Sequence, residues 1–417
     1  MSNRWAALVV LLLVYLLNFL DRTLIFILFP KIKAEMTFSD LELALLGSTS
    51  FVIFYTLLGV PFGRMADRMS RTKLIAAGLA TWSLFSGLTG LADGFWAIFL
   101  CRVMVGVGEA TLGPAAMSLI SDWFEPRRRA TVQSLFTMGI PLGAAAAFFL
   151  GGWIGAEYGW RVAFYALGFP GLGLAALMLL VPEPVRGATE GKASGAASHP
   201  AAPESLGQEL RAIGSISALR WHLLGYACLA VASNAVSMWV PSLLARGYQV
   251  PLVQVGQISA IAWAAAGGLA TGVGGAIADR FRTREAGGRM RFTAMAALIT
   301  SGFWGLMLLS GAVPPMFVAL FGLAGLGLIW LGPAAADVHE LVGPQRRGLG
   351  VAVYYLVVNV IGYGIAPPLI GAISDALGSA QDPLQLRFAL MVCPAACVIA
   401  AVCLWRGRGL MNQRSPA

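Results

Sequence analysis

Gly63-Arg64-Met65-Ala66-Asp67-Arg68 and Gly275-Ala276-Ile277-Ala278-Asp279-Arg280 are two versions of one pattern, and their aspartates lie 212 positions apart in a chain of 417 residues. Each follows a long apolar segment and opens a basic loop. A second echo keeps the same order. Gly108-Glu109-Ala110-Thr111-Leu112-Gly113-Pro114-Ala115-Ala116 recurs as Gly327-Leu328-Ile329-Trp330-Leu331-Gly332-Pro333-Ala334-Ala335. Pro126-Arg127-Arg128-Arg129 recurs as Pro344-Gln345-Arg346-Arg347. Matching pairs at similar offsets predict a duplicated half. Parallel membrane halves with a site between them are the architecture of a transporter.

The composition agrees. Hydrophobic residues make up 58% of the chain and charged residues 12%, about half the charge of an ordinary soluble domain. Mean hydropathy is +0.75. Runs long enough to cross a bilayer, about 17–25 residues each, are predicted at 5–29, 41–62, 74–91, 95–120, 130–155, 162–181, 221–245, 255–278, 292–310, 315–338, 348–371 and 386–405. The expected fold is an all-α polytopic membrane protein of twelve transmembrane helices in two six-helix pseudo-symmetric bundles. The N-terminal bundle is expected over 1–181, a linker over 182–219 and the C-terminal bundle over 220–417. Pro182, Pro184, Pro200 and Pro203 mark that linker as flexible, and Glu204 to Ser217 can form a short amphipathic helix.

The net charge of +9 is topological and does not point to nucleic acid. Arg64, Arg68, Arg71, Lys73, Arg127, Arg128, Arg129, Arg280, Arg282, Arg284, Arg346 and Arg347 fall in loops on one side of the predicted membrane. Only Lys31, Lys33, Arg161, Arg246 and Arg387 fall on the other. The positive-inside bias then places both termini in the cytoplasm. The five cysteines all lie in apolar spans, so no disulfide framework is implied. Cys393 and Cys397 share a helix face without His or carboxylate neighbours and read as packing; no metal site is expected. The first apolar run is too long for a signal-peptide core. The absence of any Asn-x-Ser/Thr acceptor favours a bacterial origin, hence an inner membrane.

Charges inside the spans are costly, roughly 2.5–3.5 kcal/mol each at mid-bilayer on insertion scales. Asp21 and Arg22 lie deep in the first span. Tyr15, Asn18 and Arg22 recur at helical spacing and form a polar stripe. Glu109 sits near the middle of the fourth span, with Arg102 two turns earlier on the same face. Burial and a nearby guanidinium pull a carboxyl in opposite directions, so conformation can switch such a group. Asp21, Arg22 and Glu109 are the proton-coupling candidates, and Arg102 is a structural anchor or relay. Buried ion pairs that only lock helices together are the competing reading, but apolar packing usually serves that purpose as well.

The second half carries no comparable mid-membrane charge. Asn234, Trp239, Tyr355, Asn359 and Tyr363 are its candidate substrate-binding residues, alongside Tyr15, Asn18, Arg22 and Glu109 in the first half. The loop motifs supply gating candidates: Gly63, Asp67, Arg68, Arg71 and Asp122, with Gly275, Asp279 and Arg280 as the duplicate. An acid near a helix N-terminus gains roughly 0.3–1 kcal/mol. Asp67 could latch to the start of the eleventh helix near Gly348, and Asp279 to the start of the fifth near Thr131.

Gly63-x3-Asp67-Arg68-x2-Arg71-x-Lys73 resembles the loop signature of the major facilitator superfamily, with Ser70 where a glycine is usual. Asn18-x2-Asp21-Arg22, Ser39-Asp40, Arg102-x3-Gly106-Val107-Gly108-Glu109-Ala110 and Asp122-x-Phe124 resemble the spinster branch more narrowly. The resemblance implies alternating access around a central cavity, and a monomer. It also implies an amphiphilic substrate of lysolipid or sphingoid-phosphate type. In that reading Asp21 and Glu109 exchange a proton and Arg22 meets an anionic head group. A broad-specificity drug/proton antiporter and an organic-anion transporter are the alternatives. No nucleophile or His-rich motif suggests an enzyme, and no Gly-x4-Gly-Lys-Ser/Thr loop suggests ATP-driven pumping. The expected coupling ion is the proton, with no other cofactor.

Overall fold

The computed structural model describes residues 4–187, 206–343 and 346–412. Among them twelve helices are long and apolar enough to cross a membrane. In chain order they are α1 (Arg4–Met36), α2 (Asp40–Arg68), α3 (Arg71–Leu91), α4 (Phe95–Trp123), α5 (Pro126–Glu157), α6 (Trp160–Leu179), α7 (Ser217–Gly247), α8 (Leu252–Arg282), α9 (Gly288–Leu309), α10 (Val313–Val342), α11 (Arg347–Ala376) and α12 (Pro383–Met411). Each predicted span is present. Most helices overrun their apolar run at one or both ends. Apolarity marks the stretch in hydrocarbon, whereas backbone hydrogen bonding continues into the polar ends. A short helix, Leu206–Gly214, falls inside the expected amphipathic stretch. The middle of the expected linker, with Pro200 and Pro203, lies outside the described residues, as does Pro344 of the third echo.

The chain divides into two compact units. One comprises Met1–Pro200 with Val250–Ala260, the other Ala201–Gln249 with Ile261–Ala417.

In the first unit, α1 and α5 pack closely because α5 presents small residues to its partner. A Cβ at Gly143 would lie 2.3 Å from the Leu16 carbonyl oxygen, so a larger residue there would drive the helices apart. The turn between α1 and α2 is built from its own polar residues. Ser39 Oγ accepts the Glu42 N–H at 3.1 Å, and Glu42 returns the bond to the Ser39 N–H at 2.8 Å. That is a capping box. Lys33 Nζ closes the turn on the buried Asp40 at 2.6 Å.

Four of the helices contain a wider, π-type turn: α2 at Leu45–Thr49, α7 at Leu243–Gly247, α8 at Ala262–Gly267 and α11 at Val360–Ile365. Such turns insert a residue into the ladder and recur at functional sites. In the second unit a Cβ at Gly362, inside the α11 turn, would lie 2.6 Å from Ala230 Cβ. That glycine brings α11 against α7.

Candidate functional site

Adjacent residues on a helix point about 100° apart, so Asp21 and Arg22 face different neighbours. Asp21 is fully buried and accepts a hydrogen bond from Ser86 Oγ of α3 at 2.7 Å. Arg22 is 16% exposed and turns to Glu109 of α4, which is fully buried. Its Nη2 reaches Glu109 Oε2 at 2.7 Å and its Nε the same oxygen at 3.2 Å. Charge-assisted bonds of this kind are about twice as strong as neutral ones. Three rings surround the guanidinium: Phe19, Phe51 and Tyr55 lie 4.9, 4.5 and 4.8 Å from its central carbon. Cation–π attraction strengthens when the cation is desolvated.

Gly106 makes this arrangement possible. It lies between Arg102 and Glu109 on α4, and a Cβ there would come within 2.6 Å of the Phe51 carbonyl oxygen. The close approach of α2 carries the Phe51 ring to both Arg22 and Arg102. Arg102 is fully buried and donates to the Asp21 carbonyl oxygen at 3.3 Å. Among the described residues, Asp21 Oδ2, Glu109 Oε1, and Arg102 Nε and Nη2 have no hydrogen-bond partner. Buried polar atoms are rarely left so. Two acids and two guanidinium groups thus share one enclosed region with hydrogen-bonding capacity in reserve. Asn18 is buried one turn before Arg22, and Tyr15 stacks on Phe136 with ring centroids 4.1 Å apart.

The first loop motif assembles a second cluster. Arg71, fully buried at the start of α3, pairs with Asp122 at the end of α4. Its Nε also reaches Glu183 Oε1 at 2.7 Å, its Nη1 donates to Ser118 Oγ at 2.7 Å and its Nη2 to the Pro184 carbonyl at 3.1 Å. Glu183 Oε2 accepts bonds from Ser70 Oγ and the Thr72 N–H, both at 3.0 Å. Burial alone would push the Glu183 carboxyl up, but the bonds from Thr72, Arg71 and Ser70 together outweigh it and hold it below the usual carboxylate range. The Gly187 N–H donates to Asp122 Oδ1 at 3.0 Å, and Arg186 caps the Ala66 and Met69 carbonyls at 2.7 and 2.8 Å. Gly63 faces Pro114, whose Cβ would lie 3.9 Å from a Cβ at Gly63. Asp67 and Arg68 are exposed.

In the second unit, Asp279 is exposed and pairs with Arg289 Nε at 2.7 Å. Arg280 is exposed, and Gly275 sits beside Gly332 with a Cβ-to-Cα approach of 4.0 Å. Asn234 is buried on α7 against the wide turn of α11, its Nδ2 3.3 Å from a Cβ placed at Gly362. Asn359 flanks that turn and Tyr363 lies within it. Trp239 is wholly enclosed, whereas Tyr355 is 49% exposed.

Glu183, Ser86 and Arg289 belong to these clusters, Asp337 of α10 lies 3.6 Å from Arg289 Nη1, and all four escaped sequence reasoning. Val181-Pro182-Glu183-Pro184-Val185-Arg186 offered a signal, since two charges between prolines directly after a span are placed on a rigid turn. Ser70 explains itself by its bond to Glu183. Asp337 was hidden by depth: it falls near the end of its apolar run, where an acid costs little if solvated, yet it is fully buried.

The chain matches the profile of the Major Facilitator Superfamily over residues 11–287. It is 29% identical over 414 residues to an MFS-type efflux pump of Mycolicibacterium smegmatis, covering 96% of this chain and 92% of the relative. It is 29% identical over 417 residues to the human protein spinster homolog 1, covering 93% of this chain and 78% of that one. Among solved structures it is similar to a bacterial homolog of the human lysosomal transporter spinster, in an inward-facing and unoccupied conformation. That match has a TM-score of 0.79, 25% identity and full coverage of both chains. A D-xylose–proton symporter shares the fold at a TM-score of 0.77 and 14% identity.

Proposed function

This chain belongs to the major facilitator superfamily, and on that premise we propose that it is a proton-coupled secondary transporter moving an amphiphilic, lipid-like solute by alternating access. The observation that carries the reading is the enclosed Asp21–Arg22–Glu109 cluster, in which each acid keeps one oxygen without a hydrogen-bond donor among the described residues. A proton taken up by Glu109 would release Arg22, and the freed guanidinium could meet an anionic head group. Loss of that proton would restore the ion pair and expel the head group. The rings of Phe19, Phe51 and Tyr55 offer apolar surface next to the cation, which suits a solute with a charged head and one chain. The likeness to spinster homologues supports a lysolipid or sphingoid-phosphate cargo. The likeness to an efflux pump supports a second reading, a broad-specificity drug/proton antiporter. In either case the protein would work as a monomer in a bacterial inner membrane, with both termini cytoplasmic.

The test uses purified protein in liposomes that enclose a pH-sensitive dye. A pH gradient is imposed, and lysophospholipid, a sphingoid phosphate, a carboxylate or a cationic dye is added in turn. Proton movement dependent on one of the two lipids, and abolished by Asp21→Asn and Glu109→Gln, is the expected result. A response to the cationic dye alone would favour efflux of drugs. Unaltered proton movement in both variants would end the coupling assignment.

A further inference from the structure

Asp337 of α10 is a buried acid in the second unit. It is 0% exposed, and among the described residues neither of its carboxylate oxygens accepts a hydrogen bond. Its cation, Arg289 of α9, stands at 3.6 Å from Oδ1, beyond hydrogen-bond distance. Arg289 is shared. Its Nε binds Asp279 at 2.7 Å and its Nη1 binds Glu340 Oε2 at 3.3 Å. Glu340 is itself held by Arg282 of α8.

The helices that pack on α10 include α7, α8, α9 and α11. The charged groups that reach Asp337 are Arg289, Glu340 and Arg282. From α7, Tyr226 lies within electrostatic reach, with its hydroxyl donating to Thr293 Oγ1 of α9 at 3.1 Å. His222, also on α7, is fully buried with Nε2 3.1 Å from the Ala334 carbonyl, one turn before Asp337. Tyr354 of α11 packs on the His222 and Tyr226 rings. Asp279 shares Arg289 with Asp337.

An ionised carboxylate without a hydrogen-bond donor is costly to enclose. Breaking or stretching a buried ion pair leaves an uncompensated charge. A buried acid at the corresponding end of α4 makes the anomaly plain. Asp122, which the repeat aligns with Glu340 and Leu341 and sets about one turn later than Asp337, accepts both an arginine guanidinium and a backbone N–H, from Arg71 and Gly187. Asp337 has neither.

We propose that Asp337 is a second proton-binding site, in which a proton and the Arg289 guanidinium compete for one buried carboxylate. When the carboxylate takes a proton from solvent it becomes a neutral acid, and Arg289, still protonated, turns to Asp279 and Glu340 on the loop side. When the proton leaves, the carboxylate draws Arg289 inward and the Asp279 contact loosens. The second loop motif would thereby respond to pH. This site is separate from the Asp21–Glu109 cluster and does not depend on the cargo.

Infrared difference spectra of the full-length protein in lipid nanodiscs, recorded between acidic and alkaline pH, test it. A carboxylic-acid band is expected that shifts in deuterium oxide, survives Asp21→Asn, and is lost in Asp337→Asn. Arg289→Gln and Asp279→Asn should displace its midpoint in opposite senses, since one removes the competitor and the other frees it. Asp337→Glu should restore a titrating band, which guards against a fold defect in Asp337→Asn. A spectrum unchanged by Asp337→Asn, or an Asp337 band that is constant across the pH range, would overturn the proposal.

Discussion

Arg71 and Arg289 stand at equivalent points of the two units, each in the first turn of the helix that follows a Gly-x3-Asp-Arg loop. Each lies beside an aspartate from the next helix, Asp122 or Asp337, with Asp337 set about one turn earlier in the repeat than Asp122. The duplicated backbone thus places a buried acid beside a helix-start arginine twice, in two different registers. What differs is the surrounding chain. In the first unit the segment after α6 folds back and supplies Glu183, the Pro184 carbonyl and the Gly187 N–H, so every member of the cluster is bonded. In the second unit the competing partners, Asp279 and Glu340, lie toward solvent and pull Arg289 outward. A symmetric scaffold therefore holds a closed ion cluster in one unit and an open one in the other. The register of the acid within the repeat and the local sequence outside it decide which.

The contrast would break most visibly on removal of the two arginines. Arg71→Ala leaves the buried Asp122 and the part-exposed Glu183 without their cation and is expected to cost about 3–5 kcal/mol, mostly through Asp122, read as a large drop in thermal unfolding temperature in detergent. Arg289→Ala should cost about 1 kcal/mol or less, because its other partners are part-exposed and Asp337 can accept a proton. Equal losses would mean that the two clusters are equally closed.

Glu183→Gln tests the element that, among the described residues, distinguishes the first unit. It should cost about 1.5–3 kcal/mol at neutral pH, the range for hydrogen bonds to a charged group. The sign of its pH dependence follows from the lowered carboxyl. The contribution of Glu183 is full above the ordinary glutamate value, about 4.3, and is lost as pH falls through the lower folded value. Stability of the variant should therefore fall less steeply in acid than that of the native chain. Parallel acid limbs would remove Glu183 from the account.

Ser70→Gly is the mildest change. It restores the residue usual in the superfamily signature and deletes one bond to Glu183, together with a helix cap made at 3.4 Å. Glycine is itself a tolerable cap, so a loss of about 1 kcal/mol or less is expected. A loss as large as that of Glu183→Gln would make the serine, and not the charge, the main support of the cluster.

Much of this organisation was legible beforehand. Twelve spans, their order and the duplication follow from hydropathy and three repeated motifs, because in a bilayer a spanning helix must be a long apolar run. Asp21, Arg22 and Glu109 were conspicuous for the same reason: a charge within such a run is expensive and needs a partner. Their polar setting was only partly legible. The spacing of Tyr15, Asn18 and Arg22 predicts one face, but nothing in it indicates that Asp21 turns to Ser86 or that Phe51 and Tyr55 enclose Arg22.

The amino-acid sequence by itself determined the membrane class, the helix count, the repeat and the identity of the deeply placed charges. These depend on local composition and period. Tertiary structure alone decided the pairing: that Arg22 binds Glu109, that Glu183 returns to Arg71 across more than a hundred positions, and that Asp337 is left with a stretched ion pair. Such pairings depend on where glycines such as Gly106 and Gly362 let helices approach, and on which of several neighbouring acids reaches a shared arginine first. Those are distances between helices, and no periodicity along one helix encodes them.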